Sequence, residues 1–73
     1  MGAALHAQLT RCRHELPLAV VDGLPGNGAE LRPDELRQMA AALLAIAADA
    51  EGLPTKGKRF VPVRRCYPVE VAP

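Results

Sequence analysis

The stretch PDELRQMAAALLAIAADAE, residues Pro33–Glu51, carries the strongest structural signal in the sequence because it predicts one long helix. Proline at the first helical position costs no hydrogen bond, since an N–H there would have no partner within the helix. Asp34 and Glu35 follow, where the amino-terminal dipole favours carboxylates. Gly52 suits the carboxyl cap, and Pro54 prevents the helix from continuing.

This predicted helix is apolar on every face. No polar residue lies between Gln38 and Asp49, although a surface helix usually carries charged side chains on one side. A chain of 73 residues has too few other elements to surround such a helix, so we predict a homodimer, or docking against another protein, through it. The predicted dimer interface consists of Leu36, Met39, Ala41, Leu43, Ala45, Ile46 and Ala48. The alternative is that alanine, a strong helix former, simply fills an exposed surface.

The remaining segments predict a single α+β domain over residues 1–73, ordered helix, strand, long helix, strand and extended tail. The predicted elements are a helix at 3–15, a buried strand at 16–21, a loop at 22–32, the helix at 33–51, a strand at 58–63 and an extended tail at 64–73. The first helix rests on a spacing of four, three and four residues between Leu5, Leu9, Cys12 and Leu16. Pro62 and Pro68 cannot donate ladder hydrogen bonds, which favours edge strands or arms near the carboxyl end.

Composition limits both the core and the cellular setting. Hydrophobic residues form 49% of the chain but aromatic ones only 3%, so we expect a thin, aliphatic core. Two cysteines are too few for a disulfide framework, and the amino-terminal residues do not resemble a secretory leader. The longest apolar run, residues 39–48, is about half of the roughly 20 residues that a membrane span needs. We therefore expect a cytoplasmic protein that does not enter the membrane.

The segment GLPTKGKR, residues 52–59, resembles part of a phosphate-binding loop. Such a loop follows a strand and opens a helix, and its lysine precedes Ser or Thr. Here the segment follows a helix, precedes a predicted strand, and has Arg59 in place of the hydroxyl residue. A helix cap followed by a basic turn explains the same residues, so we predict no nucleotide and no other cofactor.

Four residues of metal-ligating type, His6, Cys12, His14 and Cys66, lack paired ligand spacing. Ligands three or four residues apart converge on a helix, whereas Cys12 and His14 are two apart. We predict no metal site, no disulfide and no Cys/His nucleophile. With no convergent cluster in so short a chain, the sequence favours a non-enzymatic protein.

A basic segment, residues 56–65, carries five Lys or Arg residues and no acid, although the formal net charge of the chain is only +1. We predict that a partner binds there, through Lys58, Arg59, Phe60, Arg64, Arg65 and Tyr67. A protein target is the first interpretation. The alternatives are a nucleic acid held through phosphate contacts and stacking, addition of this segment to the sheet edge of another protein, and a solvated edge strand.

The region from Leu31 to Pro68 contains the patterns LxPxxLRxxAAALxxIAxDAE and TxGxxFxPxRRxYP. In these patterns the region resembles small proteins of high-GC bacteria, their plasmids and their prophages. The matching residues are Leu31, Pro33, Leu36, Arg37, Ala40 to Leu43, Ile46, Ala47, Asp49 to Glu51, Thr55, Gly57, Phe60, Pro62, Arg64, Arg65, Tyr67 and Pro68. The resemblance implies a mobile-element setting, in which small proteins commonly bind and regulate larger host proteins or nucleic acid.

Overall fold

A computed structural model describes residues 3–69 as three antiparallel strands and one helix, which confirms a mixed α+β domain. The elements are β1 Ala3–Arg11, β2 Pro17–Asp22, α1 Pro33–Gly52 and β3 Val63–Val69. The strand order is β2-β1-β3, so β1 is central and both other strands are edges. In register, Leu9 of β1 is opposite Ala19 of β2 and Val63 of β3.

The predicted helix at 3–15 is wrong, because β1 occupies residues 3–11. Leu5 and Leu9 fit a helical face, but they also fit a period-two pattern in which Ala7 shares their side of the strand. All three are buried, while His6 on the opposite side is exposed. The remaining residues of the predicted helix form the β1–β2 turn, where the Cys12 N–H donates to the Leu16 carbonyl at 3.0 Å.

The predicted strand at 58–63 is also wrong, since the strand begins only at Val63. Residues 57–59 form a turn that brings the chain across the end of the sheet. Most of the predicted tail at 64–73 is instead part of β3, and residues 70–73 lie outside the described part. As expected from Pro68, β3 is an edge strand.

Helix α1 matches the predicted helix to within one residue. Arg32 stands at the amino-terminal cap where Ser or Thr is usual, so the cap side chain accepts no hydrogen bond from the first turn. The Glu35 carboxylate accepts hydrogen bonds from the Arg32 backbone N–H and from Arg32 Nε, both at 3.2 Å. At the other end, Gly52 is the last helical residue, and the Leu53 N–H caps the helix by donating to the Ala50 carbonyl.

The core lies between one face of the sheet and α1. Its buried members are Leu5, Ala7 and Leu9 of β1, Tyr67 and Val69 of β3, and Ala42, Ile46 and Ala50 of α1. Ala19, Val21 and Leu53 are partly buried against them. No described element covers the opposite face of the sheet, so residues 3–69 form two layers with a single thin core.

Gly23 provides a test of the turn that follows β2. Its φ is +99°, and a Cβ there would lie 2.8 Å from the Ala4 backbone carbonyl oxygen. We expect Gly23→Ala to lower the free energy of unfolding by roughly 1–3 kcal/mol. Alanine would be held at an unfavourable positive φ, and its Cβ would clash with the Ala4 carbonyl oxygen. Gly26→Ala is the matched control in the same loop, since its Cβ would meet no atom within 4 Å. Equal loss of stability in the two variants, measured by denaturant unfolding, would contradict this account.

Candidate protein-binding surfaces

The outer surface of α1 is apolar and exposed. The helix packs on the sheet through Ala42, Ile46 and Ala50, whereas its three leucines remain exposed. Leu36 is 52% exposed, Leu43 39% and Leu44 71%. Ala40, Ala41, Ala45, Ala47 and Ala48 are exposed as well. We call these eight side chains the outer helix surface.

Most of the predicted interface residues lie on the outer helix surface, with two exceptions. Ile46 is only 3% exposed, because it is the central helix contact with the sheet. Met39 is half-buried. The structure thus places Leu36, Ala41, Leu43, Ala45 and Ala48 where a partner could reach them.

The two flanks of α1 differ in chemistry. Asp49, on one flank, contacts Tyr67 and Arg65 of β3. Successive residues of a helix are about 100° apart around its axis, so Leu43 and Asp49 are separated by roughly 120°. The side of the helix that faces the sheet lies between them. Leu36 lies on the same side as Leu43. The leucine flank of α1 therefore faces the β2 side of the molecule, and the carboxylate flank faces β3.

A polar cluster of three side chains joins α1 to β3. The Tyr67 hydroxyl donates to Asp49 Oδ2 at 2.8 Å, and Arg65 Nη1 lies 3.2 Å from the same oxygen. Burial raises the pKa of Tyr67, and the hydrogen bond to Asp49 and its negative charge raise it further. The positive charge of Arg65 and its hydrogen bond lower the pKa of Tyr67. These contacts commit Arg65 and Tyr67, two of the predicted partner-binding residues, to holding the helix on the sheet.

Arg11 fixes the loop that follows α1. Its guanidinium donates to the carbonyls of Thr55 at 2.6 Å and Gly57 at 2.9 Å, and it lies 4.7 Å from the centroid of the Phe60 ring. The Thr55 hydroxyl in turn donates to the Glu15 carbonyl in the β1–β2 turn at 2.6 Å. The basic segment is thus tied to the turn rather than free to move as an arm.

The six predicted partner-binding residues therefore do not share one surface. Lys58 and Arg59 are exposed in the loop, Phe60 is half-buried under Arg11, and Arg64 is exposed on the sheet face away from α1. A basic end of the molecule, defined by Arg13, Lys56, Lys58 and Arg59, arises instead where the loop meets the turn. All four are exposed.

Strand β2 is more exposed than its sequence suggested. The aliphatic run at 16–21 predicted a buried strand, but Leu16, Leu18 and Val20 are 58%, 44% and 48% exposed. They are exposed because the sheet is covered on one face only and β2 lies at its edge. The signal that could have revealed this is Pro17, which is typical of edge strands.

The uncovered face of the sheet carries an open groove of about 500 Å³. Its lining includes His6, Gln8, Val20, Asp22, Arg64 and Cys66. In register, His6 stands between Asp22 of β2 and Cys66 of β3. Within residues 3–69, however, no group of three or more His, Cys, Asp or Glu side chains is placed to hold a metal ion. Both cysteines are free.

Among residues 3–69, no helix is both long enough and apolar enough to cross a membrane. Comparison with protein-family models, with curated proteins and with solved structures found no match to this chain. The resemblance of residues 31–68 to small proteins of high-GC bacteria stays a prediction.

The only tyrosine of the chain makes the α1–β3 cluster directly observable. We expect the phenolate absorbance of Tyr67 in the folded protein to titrate with a midpoint above the ordinary value of 10.0. Because the folded pKa is raised, Tyr67 contributes stability that is complete below pH 10.0 and is lost as the pH rises through the folded value. The Tyr67→Phe variant has no hydroxyl to titrate, so its free energy of unfolding should fall less at high pH.

Asp49→Asn is the control for the cause of the shift. Burial is the largest contribution and remains in this variant, so its midpoint should fall but stay above 10.0. A wild-type midpoint at or below that value would show that Tyr67 is neither buried nor bonded to Asp49 in solution.

Proposed function

We propose that this chain is a non-enzymatic protein-binding module that acts as a homodimer, with α1 carrying the self-association. The supporting observation is the outer helix surface, where Leu36, Leu43 and Leu44 are exposed and no polar side chain interrupts the apolar positions between Gln38 and Asp49. Burying one leucine fully contributes roughly 1.5–3 kcal/mol. Association thus supplies apolar burial that a thin core cannot.

A non-enzymatic role is favoured by the placement of the reactive side chains. His6 and Cys66 are neighbours in the sheet, but both are exposed on its uncovered face. A nucleophile is normally activated by a base held within hydrogen-bond reach, in turn oriented by a third group. Among the described residues, no hydrogen bond joins His6 to either Cys66 or Asp22.

The basic end supplies the surface for a target. Lys58 and Arg59 of the original prediction lie there, beside Arg13 of the turn, and Arg11 holds the loop in place. Charge complementarity steers association and selects partners. The target we propose is therefore a protein with an acidic surface, and a dimer presents two basic ends to it. Regulation of a host protein from a plasmid or phage is consistent with this role.

Sedimentation equilibrium tests the homodimer. We expect the wild type to have twice the 7.8 kDa chain mass. Leu36→Glu/Leu43→Glu/Leu44→Glu should be monomeric with an unchanged circular dichroism spectrum, because all three side chains are already exposed. Val61→Glu is the matched control: Val61 is 70% exposed but lies outside α1, so this variant should remain dimeric. A wild type that stays monomeric at every concentration would remove the proposal.

A nucleic acid is the second candidate, and the clustering of four exposed cations at the basic end favours it. Within the described residues, Lys56, Lys58 and Arg59 lie in no salt bridge, so they are available for phosphates. Against it, the half-buried Phe60 is covered by Arg11 rather than open to a base. The formal net charge of +1 adds little attraction over the rest of the surface.

Fluorescence anisotropy with a labelled single-stranded oligonucleotide separates the two candidates. We expect no binding that persists at about 0.15 M salt, the concentration range in which weak phosphate contacts are lost. Tight binding that weakens steeply with salt, disappears in Lys58→Glu/Arg59→Glu and survives in Val61→Glu would assign nucleic acid as the target instead.

A further inference from the structure

The free edge of β2 has less protection against pairing with another chain than the edge formed by β3. Natural edges carry lysines, bulges or inward charges that prevent pairing with another chain. Residues 17–22 contain no Lys or Arg, and their only charge is Asp22 at the end. The other edge, β3, carries Arg64, Arg65 and Pro68. In β2 only Pro17, at the start of the strand, lacks an outward N–H. The β3 edge is therefore better protected than the β2 edge.

The hydrogen-bond pattern shows which groups of β2 point outward. The Cys12 N–H donates to the Leu16 carbonyl, so Arg11 and Pro17 form the next, non-hydrogen-bonded pair. Pairs alternate along an antiparallel ladder, which directs the backbone groups of Ala19 and Val21 away from β1. The backbone of Pro17 is also directed away from β1, so its missing N–H removes no hydrogen bond between β1 and β2.

A second copy can satisfy these outward groups by pairing antiparallel about a two-fold axis at Val20. Ala19 of each copy then exchanges N–H···O bonds with Val21 of the other, giving four bonds. A shift that centres the axis on Ala19 would place Pro17 opposite Val21, where proline cannot donate. The Val20 side chains of the two copies would meet directly on the uncovered face.

The same arrangement turns the leucine flank of each α1 toward the other copy. A two-fold axis perpendicular to the sheet keeps both helices on one face, and the leucine flank faces β2. The central strands of the two copies would be three strand spacings apart, about 14 Å. Helices with their side chains are about 10–12 Å across, so the leucine flank of each helix borders the other copy. Leu36 and Leu43 lie toward the amino-terminal end of α1, so they face the end of the other copy at which its β1–β2 turn lies.

Charge is complementary in this arrangement. The basic end lies at the β1–β2 turn and at the carboxyl end of α1, whereas Asp22, Asp34 and Glu35 lie at the opposite end. Antiparallel pairing sets the basic end of each copy beside the acidic end of the other. The two helix dipoles also run in opposite directions, which is favourable for neighbouring helices.

We propose that the homodimer forms edge to edge through β2, with Val20 at the two-fold axis, and that it creates a six-stranded sheet with both helices on one face. This proposal rests on the homodimer proposed above and specifies its geometry: the β2 edge supplies backbone hydrogen bonds, and the leucine flank of α1 borders the other copy. It leaves Leu44 and the outermost alanines of each helix uncovered.

Disulfide trapping tests the geometry in a Cys12→Ser/Cys66→Ser background. Opposed residues of a non-hydrogen-bonded antiparallel pair have Cα atoms about 4.5 Å apart, within the range that a disulfide bridges. Val20→Cys should therefore oxidise to a covalent dimer under mild conditions. Leu18→Cys is the matched control: it has similar exposure on the same strand and face, but its two copies would lie about 13 Å apart. Leu44→Cys, although more exposed, should also remain uncrosslinked.

Val20→Lys provides an independent measurement, because two lysines would meet at the axis. We expect it to weaken dimerisation at least tenfold in sedimentation equilibrium, with an unchanged circular dichroism spectrum, whereas Leu18→Lys has the smaller effect. A wild-type dimer in which Leu44→Cys crosslinks and Val20→Cys does not would overturn the β2 pairing and keep the homodimer. Crosslinking only in a mixture of Leu18→Cys and Val20→Cys would overturn the stated register.

Discussion

The packing of β1 beneath α1 is the contact on which the rest of the structure depends. Leu5 and Leu9 are the largest fully buried side chains, and Ile46 lies against the same sheet face. A sheet normally requires cover on its apolar face, and one helix is enough to cover three strands on one side. With a single helix, however, the other sheet face, the β2 edge and the back of the helix remain exposed. Each surface discussed above follows from this one-sided cover.

Arg11 links that core to the electrostatics of the molecule. One guanidinium binds two loop carbonyls and covers Phe60, and it lies 3.4 Å from Glu15. The loop is thereby fixed across the end of the sheet, so its lysines and Arg59 gather beside Arg13. The carboxyl end of α1, where the helix dipole is negative, lies at this same end. The basic end of the molecule is therefore the end toward which α1 directs its carboxyl terminus.

The long helix could be predicted because Pro33, the acidic first turn and Pro54 all indicate the same boundaries. Strand β1 could not, since Leu5 and Leu9 fit either period and Ala7 is compatible with both. In β3, Arg65 interrupts the apolar alternation and obscures the strand. The structure explains its inward position by the Asp49 carboxylate 3.2 Å away, a partner 16 residues distant in sequence that no local pattern reveals. The basic end was missed for the same reason: it unites Arg13 with residues more than 40 positions later.

The placement of large and small side chains on α1 is the strongest physical argument for association. Ala42 and Ala50 face the sheet, where their size allows the helix to approach closely, while Leu36, Leu43 and Leu44 face outward. A helix that served only its own domain would gain stability from the reverse arrangement, because leucine loses far more apolar surface on burial than alanine does. An outward leucine contributes comparable free energy only when a second surface covers it. Two of the three lie on the flank beside the β2 edge, which carries no Lys or Arg. A single partner placed against that edge therefore covers apolar side chains and unpaired backbone groups together.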